Sequence, residues 1–313
     1  MSVAFVFPGQ GSQAPGMGRD LADAFPIARE TFQEVDDALG QHLSRLMFEG
    51  PADELTLTAN AQPALMAVSV AVVRVLEREG QFRLGERAAL VAGHSLGEYS
   101  ALTAAGCFDV PTAARLLRLR GEAMQKATPA GTGAMAALLG AEADLAAEIA
   151  AEAAQGEVVE LANDNGGGQS VLSGHKAAVE RAVEVAKARG VKRAMILPVS
   201  APFHCALMEP AARAMEEALA AATMRAPNPP VVANVTAAKA TDPDAIRGLL
   251  VQQVTGTVRW RECVAAMVAM GCTRFIEVGA GKVLTGLMKR NAPEASAMAV
   301  GTPADIEAFL KSL

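Results

Sequence analysis

The sequence predicts an α/β fold in which a mostly parallel sheet carries an inserted smaller unit. Short apolar runs typical of strands alternate with longer stretches of helical periodicity. One strand is followed at once by Gly93-His94-Ser95-Leu96-Gly97 and then by a helix. After residue 134 the order changes to strand, helix, strand, strand, helix, strand.

The N-terminal part predicts one strand and two long helices. The strand covers residues 3–7 and ends at Pro8, without the basic start and longer apolar stretch of a signal peptide. The helices cover residues 26–39 and 62–79. The glycine-rich loop 8–18 has neither the Lys-Ser/Thr ending of a P-loop nor the GxGxxG spacing, so we expect its backbone to approach a different kind of ligand.

The Gly-x-Ser-x-Gly segment lies between a strand predicted over 88–92 and a helix predicted over 96–105. In this setting the turn exposes its serine above the sheet edge, which makes Ser95 a candidate nucleophile. Leu96 begins the helix, so its amide and the positive end of the helix dipole lie where an oxyanion would form. The alternative is a purely structural turn, since turns need glycine in any case.

The helix predicted over residues 111–127 carries an arginine on its apolar face. Arg120 shares that face with Leu116, Leu117 and Met124, so we expect it to point inward. A buried arginine needs an anion or a cluster of carbonyl groups, because an unpaired buried charge is strongly destabilising. Its partner is therefore either a bound anion or a core acid in a structural ion pair.

The middle of the chain predicts a ferredoxin-like βαββαβ unit. Its strands are expected at 134–139, 158–163, 170–173 and 192–197, its helices at 143–154 and 176–189, and a hairpin at 166–168. Alternating elements then return: helix 207–222, strand 231–235, helices 244–254 and 261–270, and strand 274–278. We therefore divide the chain into a large subdomain, 1–130 with 198–313, and a small one, 131–197.

Composition limits the function classes. The chain has 313 residues, a net charge of −6, one Trp, one Tyr and ten Phe, which argues against nucleic acid as a partner. Its four cysteines are scattered without metal-ligand spacing, so we expect reduced thiols and no metal site. No apolar stretch reaches the length of a membrane span, and we expect a soluble cytoplasmic protein.

A base for Ser95 follows from elimination among four histidines. His94 adjoins the nucleophile and should leave the turn in another direction, His42 lies in a polar stretch, and His175 begins a helix. His204 lies in an irregular loop between a strand and a helix, where α/β proteins place ligand-facing residues. A Ser-His pair supports an acyl-enzyme. The group that orients His204 stays open: no acid is clearly suited, Asp164 belongs to the inserted unit, and a backbone carbonyl would also serve.

Several motifs, in the right order over almost the full length, resemble the malonyl-CoA:acyl carrier protein transacylases of bacterial fatty acid synthesis. They comprise residues 7–13, Gly93 to Glu98, Arg120, Asn163 to Gly174, Ser200 to Met208, and Glu277-Val278-Gly279. The resemblance implies an α/β-hydrolase-like large subdomain beside the ferredoxin-like one. It also implies malonyl-CoA and acyl carrier protein as partners, no cofactor, and a monomer.

The resemblance assigns a role to each motif residue. Ser95 would be the nucleophile, His204 the base, and Arg120 the partner of the malonyl carboxylate. The amides of Gln10 and Leu96 would form the oxyanion hole. The family glutamine whose backbone carbonyl orients the histidine matches Gln253. Asn163 and Phe203 complete the candidate substrate-binding residues.

Two departures from the family pattern bear on specificity and on a loop. Phe203 replaces a serine common in free-standing members and resembles the Ala-Phe-His element of malonyl-selective domains, which favours malonyl over methylmalonyl. Gly279-Ala280-Gly281 lacks a proline often found there, which concerns local loop rigidity only.

Carrier proteins are acidic, so we expect a basic docking patch at Lys282, Lys289 and Arg290. Two other hypotheses are a serine esterase or thioesterase, and a docking module without activity. The absent C-terminal histidine, the unclear triad acid and the inward arginine argue against a hydrolase. The retention of Ser95, His204, Arg120 and Gln10 together argues against an inactive module.

Overall fold

A computed structural model describes residues 2–199 and 201–313, so Ser200 of the motif at 200–208 lies outside the described residues. The strands are β1 (Ser2–Phe7), β2 (Leu90–Gly93), β3 (Gly133–Leu139), β4 (Val159–Asp164), β5 (Gln169–His175), β6 (Arg193–Ile196), β7 (Val231–Ala233), β8 (Ala238–Ala240), β9 (Cys272–Val278) and β10 (Ser296–Val300).

The helices surround these strands. They are α1 (Arg19–Ala24), α2 (Pro26–Leu39), α3 (Leu43–Glu49), α4 (Ala52–Thr56), α5 (Thr58–Glu79), α6 (Leu84–Arg87), α7 (Leu96–Ala104), α8 (Val110–Lys126), α9 (Ala143–Ala154), α10 (Lys176–Ala188), α11 (Glu209–Ala221), α12 (Pro243–Thr255), α13 (Trp260–Ala269), α14 (Val283–Asn291) and α15 (Pro303–Lys311). A 3-10 helix, Ala206–Met208, precedes α11.

The larger sheet has six strands in the order β10-β9-β1-β2-β7-β8. Every pairing is parallel except that of β7 with β8 at one edge. Strand β1 lies inside the sheet, and its alternate side chains enter two hydrophobic clusters: Phe5 and Phe7 enter one, Ala4 and Val6 the other. A sheet covered on both faces accounts for the nearly continuous apolar sequence of β1.

The smaller sheet has four antiparallel strands in the order β4-β5-β3-β6. Its first strand along the chain, β3, lies between the third and the fourth, which is a ferredoxin-like order. Helices α9 and α10 cover it through an alanine-rich and valine-rich cluster. The α/β fold class with this second sheet is confirmed, while the domain boundaries at 130/131 and 197/198 stay a prediction.

The smaller sheet is joined to the large subdomain beside β4, through the segment at the start of α13. The Val258 amide donates to the Ala162 carbonyl at 2.9 Å, and the Asp164 amide donates to the Val258 carbonyl at 3.0 Å. The Arg261 guanidinium lies 2.9 Å from the Asp164 carboxylate and closes the same junction. These contacts fix one wall of the cleft between the sheets.

Several elements differ from the sequence predictions. Helix α5 begins at Thr58 rather than at the predicted Gln62. The prediction left out the first turn because Thr58 to Ala61 are polar or small and add little to the apolar periodicity. Strand β2 is shifted to Leu90–Gly93 from the expected 88–92. By length and composition α5 would suffice to cross a membrane, but most of it is buried inside the protein, as expected of a core helix.

Candidate active site

Ser95 occupies a strained turn between β2 and α7. Its φ of 54° and ψ of −113° place a side-chain-bearing residue in the left-handed half of backbone space. The flanking glycines permit the turn, because a Cβ on Gly93 would overlap the backbone of Gly97 and a Cβ on Gly97 would overlap the Phe7 carbonyl. The sequence Gly-x-Ser-x-Gly is thus a steric requirement of this turn.

His204 reaches Ser95 from the loop before the 3-10 helix. The Ser95 hydroxyl lies 2.7 Å from His204 Nε2, and His204 Nδ1 lies 2.8 Å from the backbone carbonyl of Gln253. A carbonyl oxygen only accepts, so Nδ1 carries the proton and Nε2 presents its lone pair to the hydroxyl. Burial, reinforced by the charge of Arg120, lowers the pKa of His204 to about 3. The imidazole is therefore neutral at physiological pH, as a general base requires.

Asp164 and the other histidines have different partners. Asp164 pairs with Arg261, and Nε2 of His94 lies 2.8 Å from Asn165 Oδ1. His175 accepts the Val158 amide at 2.9 Å, and His42 is exposed at the start of α3. The Gln253 carbonyl thus stands where a triad acid would, which resolves the two possibilities that the sequence left open.

Arg120 of α8 is 1% exposed and lies beside the nucleophile. Its Nη1 donates to Gln62 Oε1 at 2.8 Å, while Nη2 donates to Ser95 Oγ at 3.1 Å and to Gln253 Oε1 at 3.0 Å. Burial lowers its pKa. Among residues 2–199 and 201–313 no acidic side chain lies within ion-pair distance of the guanidinium, so the core ion pair considered from the sequence is not found in this part of the chain.

The cleft around these residues encloses about 440 Å³ between the two sheets. Gln10, Leu96, Phe203 and Asn163 line it together with Ser95, His204 and Arg120. Apolar side chains, among them Met124, Met135 and Val171, form much of the remaining wall. Every site residue predicted from the sequence is therefore at this cleft or, as with Gln253, in contact with a residue that lines it.

The expected oxyanion donors come from two neighbouring segments, a helix start and a loop. Leu96 begins α7, and Gln10 lies in the glycine-rich loop after β1. The His94 amide donates to the Phe7 carbonyl at 3.0 Å, which holds that loop against the turn. The side chain of Gln10 accepts a hydrogen bond from the Thr58 hydroxyl. Asn163 belongs to β4 and pairs through its backbone with Val258.

Two buried polar residues at the site had no role assigned from the sequence, although Glu98 ends the motif Gly93 to Glu98. Asn234 Oδ1 accepts the Ser95 amide at 2.8 Å, and its Nδ2 donates to the Gly93 carbonyl at 2.7 Å. Glu98 accepts Gln253 Nε2 at 2.8 Å and the Asn234 amide at 3.0 Å. The available signal for Asn234 was its position directly after a buried strand, whereas Glu98 lies on a helix that is buried on all sides and gave no signal by periodicity.

Comparison with known proteins places the chain among acyl transferases. A family model described as the acyl transferase domain matches residues 4–305. The malonyl CoA-acyl carrier protein transacylase of Escherichia coli (strain K12) is 50% identical over 308 residues, with 98% of each chain covered. The enzyme of the same name from Bacillus subtilis (strain 168) is 45% identical over 312 residues, covering 99% of this chain and 97% of that one.

Solved structures agree with this similarity. The acyl-carrier-protein-S-malonyltransferase of Bartonella henselae superposes with a TM-score of 0.98 at 55% identity, covering 100% of this chain and 99% of that chain. A malonyl-transacylase solved in complex with its type II PKS acyl-carrier protein superposes with a TM-score of 0.96 at 46% identity, covering all of both chains.

Proposed function

This chain belongs to the malonyl CoA-acyl carrier protein transacylases of the acyl transferase domain family, and from that membership we propose how its own residues carry the reaction. The reaction moves malonyl from malonyl-CoA to the phosphopantetheine thiol of acyl carrier protein. The malonyl group is bound covalently to Ser95 after CoA has left and before the carrier-protein thiol accepts it. The observation that carries the proposal is a buried arginine with no acidic partner among the described residues, 3.1 Å from the nucleophilic oxygen.

The first half-reaction acylates Ser95. His204 Nε2 takes the hydroxyl proton as Oγ bonds to the thioester carbonyl carbon. The amides of Leu96 and Gln10 stabilise the negative charge that develops on the carbonyl oxygen. The carbon–sulfur bond then breaks, and the departing CoA sulfur takes the proton from His204 Nε2. Malonyl-Ser95 and free CoA result.

The second half-reaction repeats these steps with the carrier-protein thiol. His204 takes the thiol proton as sulfur bonds to the malonyl carbonyl carbon. The bond to Ser95 Oγ breaks, and Oγ takes the proton back from His204. Two half-reactions at one serine give a ping-pong mechanism.

Arg120 confers the preference for a dicarboxylic thioester. Its guanidinium would pair with the free malonyl carboxylate in a bidentate arrangement, while Gln62 and Gln253 hold it in place. Acetyl-CoA lacks that carboxylate and leaves the buried cation unpaired. Phe203 and Asn163, which line the cleft, limit the space around the bound acyl group.

The carrier protein docks, in this proposal, on the exposed face of α14. Lys282 precedes this helix, Lys289 and Arg290 lie in its last turn, and all three are exposed in a chain that is acidic as a whole. Val283 beside them is 54% exposed and adds an apolar contact. Arg290 also donates to the Gly167 carbonyl of the small-sheet hairpin, and the neighbouring Asn291 donates to the carbonyl of Asn165, which lines the cleft.

We place the protein in the cytoplasm, as a monomer that serves fatty acid synthesis. Its four cysteines are free and buried, which suits a reducing compartment. Size-exclusion chromatography with light scattering tests the monomer.

The test of the function is malonyl transfer to holo-acyl carrier protein by the parent and by Ser95→Ala. We expect the parent to transfer malonyl and Ser95→Ala to retain no measurable transfer. Transfer by Ser95→Ala at the parent rate would contradict the proposal. Rapid hydrolysis of malonyl-CoA without carrier protein would indicate a hydrolase instead.

A further inference from the structure

A buried polar cluster beneath the Ser95 turn takes no direct part in the steps above. It consists of Glu98, Asn234 and the side chain of Gln253, which come from three different parts of the large subdomain and are at most 1% exposed. Buried polar groups destabilise a fold unless they are satisfied, so the cluster calls for a functional or structural reason. Its hydrogen bonds lead to Arg120.

The Gln253 amide has a defined direction. Its Oε1 accepts from Arg120 Nη2 at 3.0 Å, and its Nε2 donates to Glu98 Oε2 at 2.8 Å. A half-turn of this amide would bring an NH2 group against the guanidinium, placing two donors face to face. The observed direction is therefore the one that supports Arg120.

Glu98 is the charged one of three acceptors that determine this direction, beside the Ser95 carbonyl at 3.1 Å and Asn234 Oδ1 at 3.2 Å. An ionised carboxylate only accepts, so it requires the NH2 end of Gln253. The same Oε2 accepts the Asn234 amide at 3.0 Å, which fixes the carboxylate in place. Through one amide group, Glu98 also sets a negative charge opposite the cation of Arg120.

Among the titratable groups in and around this cluster, Glu98 is the one that changes its protonation state near neutral pH. The groups facing it are Arg120 from α8, Tyr99 on its own helix, and Cys263 from α13. Burial raises the pKa of both the Tyr99 hydroxyl and the Cys263 thiol, so both are neutral at physiological pH. Burial raises the pKa of Glu98 to about 7, although the hydrogen bonds from Asn234 and Gln253 and the charge of Arg120 act in the opposite direction.

We propose that Glu98 is a positioning residue for malonyl recognition, which acts through the Gln253 side chain to hold Arg120 where the substrate carboxylate binds. The inference rests on the proposed role of Arg120. It separates recognition of the malonyl carboxylate from the acyl-transfer steps, because an acetyl group has no carboxylate for Arg120 to bind. The selectivity for malonyl over acetyl therefore reports this role.

The test compares acylation rates of Ser95 by malonyl-CoA and by acetyl-CoA in the parent and in Glu98→Gln. A glutamine at position 98 carries no charge, so it removes the negative charge opposite Arg120 and weakens the hydrogen bond to Gln253 Nε2, while the Ser95 carbonyl and Asn234 Oδ1 still accept from that group. We expect the malonyl/acetyl ratio to fall about tenfold, as for one lost hydrogen bond to a charged group. A merely structural disturbance of the turn would slow both donors equally and leave the ratio unchanged.

The pH dependence of the ratio is a second readout. Protonation removes both the charge and the acceptor-only character of Glu98, so the parent ratio should fall as the pH drops from 8 to 6. In Glu98→Gln the ratio should stay low and flat. Glu122→Gln makes the same change of charge on α8, away from the cluster, and should follow the parent.

Gln253→Met provides an independent variant, because it removes the amide and keeps the backbone carbonyl that orients His204. It should lower the ratio to the same extent, and the double variant should add little. The inference would be overturned if Gln253→Met, or correctly folded Glu98→Gln, kept the malonyl/acetyl ratio of the parent. A parent enzyme that forms no malonyl-serine would instead overturn the proposed function.

Discussion

The imidazole Nε2 of His204 lies 2.7 Å from Ser95 Oγ, although 109 residues separate the two in the chain. Both residues have a positive φ, 54° for Ser95 and 57° for His204. Such conformations are unfavourable for residues with a Cβ and persist where the surrounding structure enforces them. Here the enforcing contacts are the Asn234 side chain for Ser95 and the Gln253 carbonyl for His204.

The lowered pKa of His204 predicts activity well into the acid range. With a folded-state pKa of about 3, the imidazole is still neutral at pH 5. A histidine at its ordinary pKa of about 6.5 would be only about 3% neutral there. We expect the rate of Ser95 acylation by acetyl-CoA, which has no carboxylate for Arg120 to bind, to change less than about threefold between pH 7.5 and 5.

Single-turnover acylation, with circular dichroism to show that the fold persists, measures this pH dependence. A loss of tenfold or more with a midpoint near the ordinary histidine pKa would show that burial and Arg120 do not lower the pKa of His204 as described.

The contacts of Asn234 with the Ser95 turn predict that its substitution slows acylation equally for malonyl-CoA and acetyl-CoA. Asn234→Leu removes the acceptor of the Ser95 amide and the donor to the Gly93 carbonyl, so the strained turn is no longer fixed, while Glu98 and the Ser95 carbonyl still hold the Gln253 amide. We expect acylation by malonyl-CoA and by acetyl-CoA to slow by about tenfold to a hundredfold each, in line with two lost buried hydrogen bonds. Rapid-quench kinetics measure both rates.

Asn60→Leu is the matched control, since Asn60 bonds to Arg118 and Glu54 away from the cleft, and it should keep the parent rates. A selective loss of malonyl transfer in Asn234→Leu would show that Asn234 acts on Arg120 and not on the turn.

Two glycines in different settings predict opposite effects of the same substitution: Gly93 in the Ser95 turn and Gly248 inside a helix. In Gly93→Ala the new Cβ would overlap the Gly97 backbone, so we expect the free energy of unfolding to fall by about 3 kcal/mol or more. Gly248 lies inside α12, and a Cβ at this position would have no other atom within 4 Å, so Gly248→Ala should stabilise the protein by about 0.5–1 kcal/mol. Urea unfolding measures both, and equal effects would contradict the steric account.

The basic face of α14 predicts a selective effect on the carrier protein. Lys282→Glu with Lys289→Glu should raise the KM for acyl carrier protein about tenfold and leave malonyl-serine formation unchanged, because charge complementarity acts on the encounter. The control is Lys187→Glu with Lys239→Glu, which changes the charge equally on α10 and on the far edge strand β8. Steady-state transfer measures this KM. An unchanged KM in the variant with Lys282→Glu and Lys289→Glu would contradict docking on this face.

The sequence predicted those parts of the site that depend on local pattern. The Ser95 turn is visible because its glycines are sterically required, and Arg120 because a charge interrupts an apolar helical face. The fold class was predictable for a related reason. Buried parallel strands such as β1 are short apolar runs in the sequence, and the glycines of the hairpin mark where two strands of the βαββαβ unit meet.

Other features leave no such pattern. The group that orients His204 is a backbone carbonyl, which any residue supplies, so only the family resemblance indicated Gln253. Glu98 lies on α7, which is buried on all sides and therefore has no polar face to compare it with. Short helices such as α3 and α4 have too few turns for periodicity, and β8 pairs over only three residues at the sheet edge.

The most direct measurement is intact-protein mass spectrometry after brief mixing with malonyl-CoA or acetyl-CoA. The parent, Arg120→Ala and Arg118→Ala are compared, the last because Arg118 lies on the same helix but bonds to Asn60 and Gln41. We expect a malonyl adduct on Ser95 of the parent and of Arg118→Ala. In Arg120→Ala we expect the preference for malonyl to fall by about a hundredfold, as for a lost bidentate ion pair. An undiminished preference in Arg120→Ala, or no adduct with steady release of CoA, would contradict it.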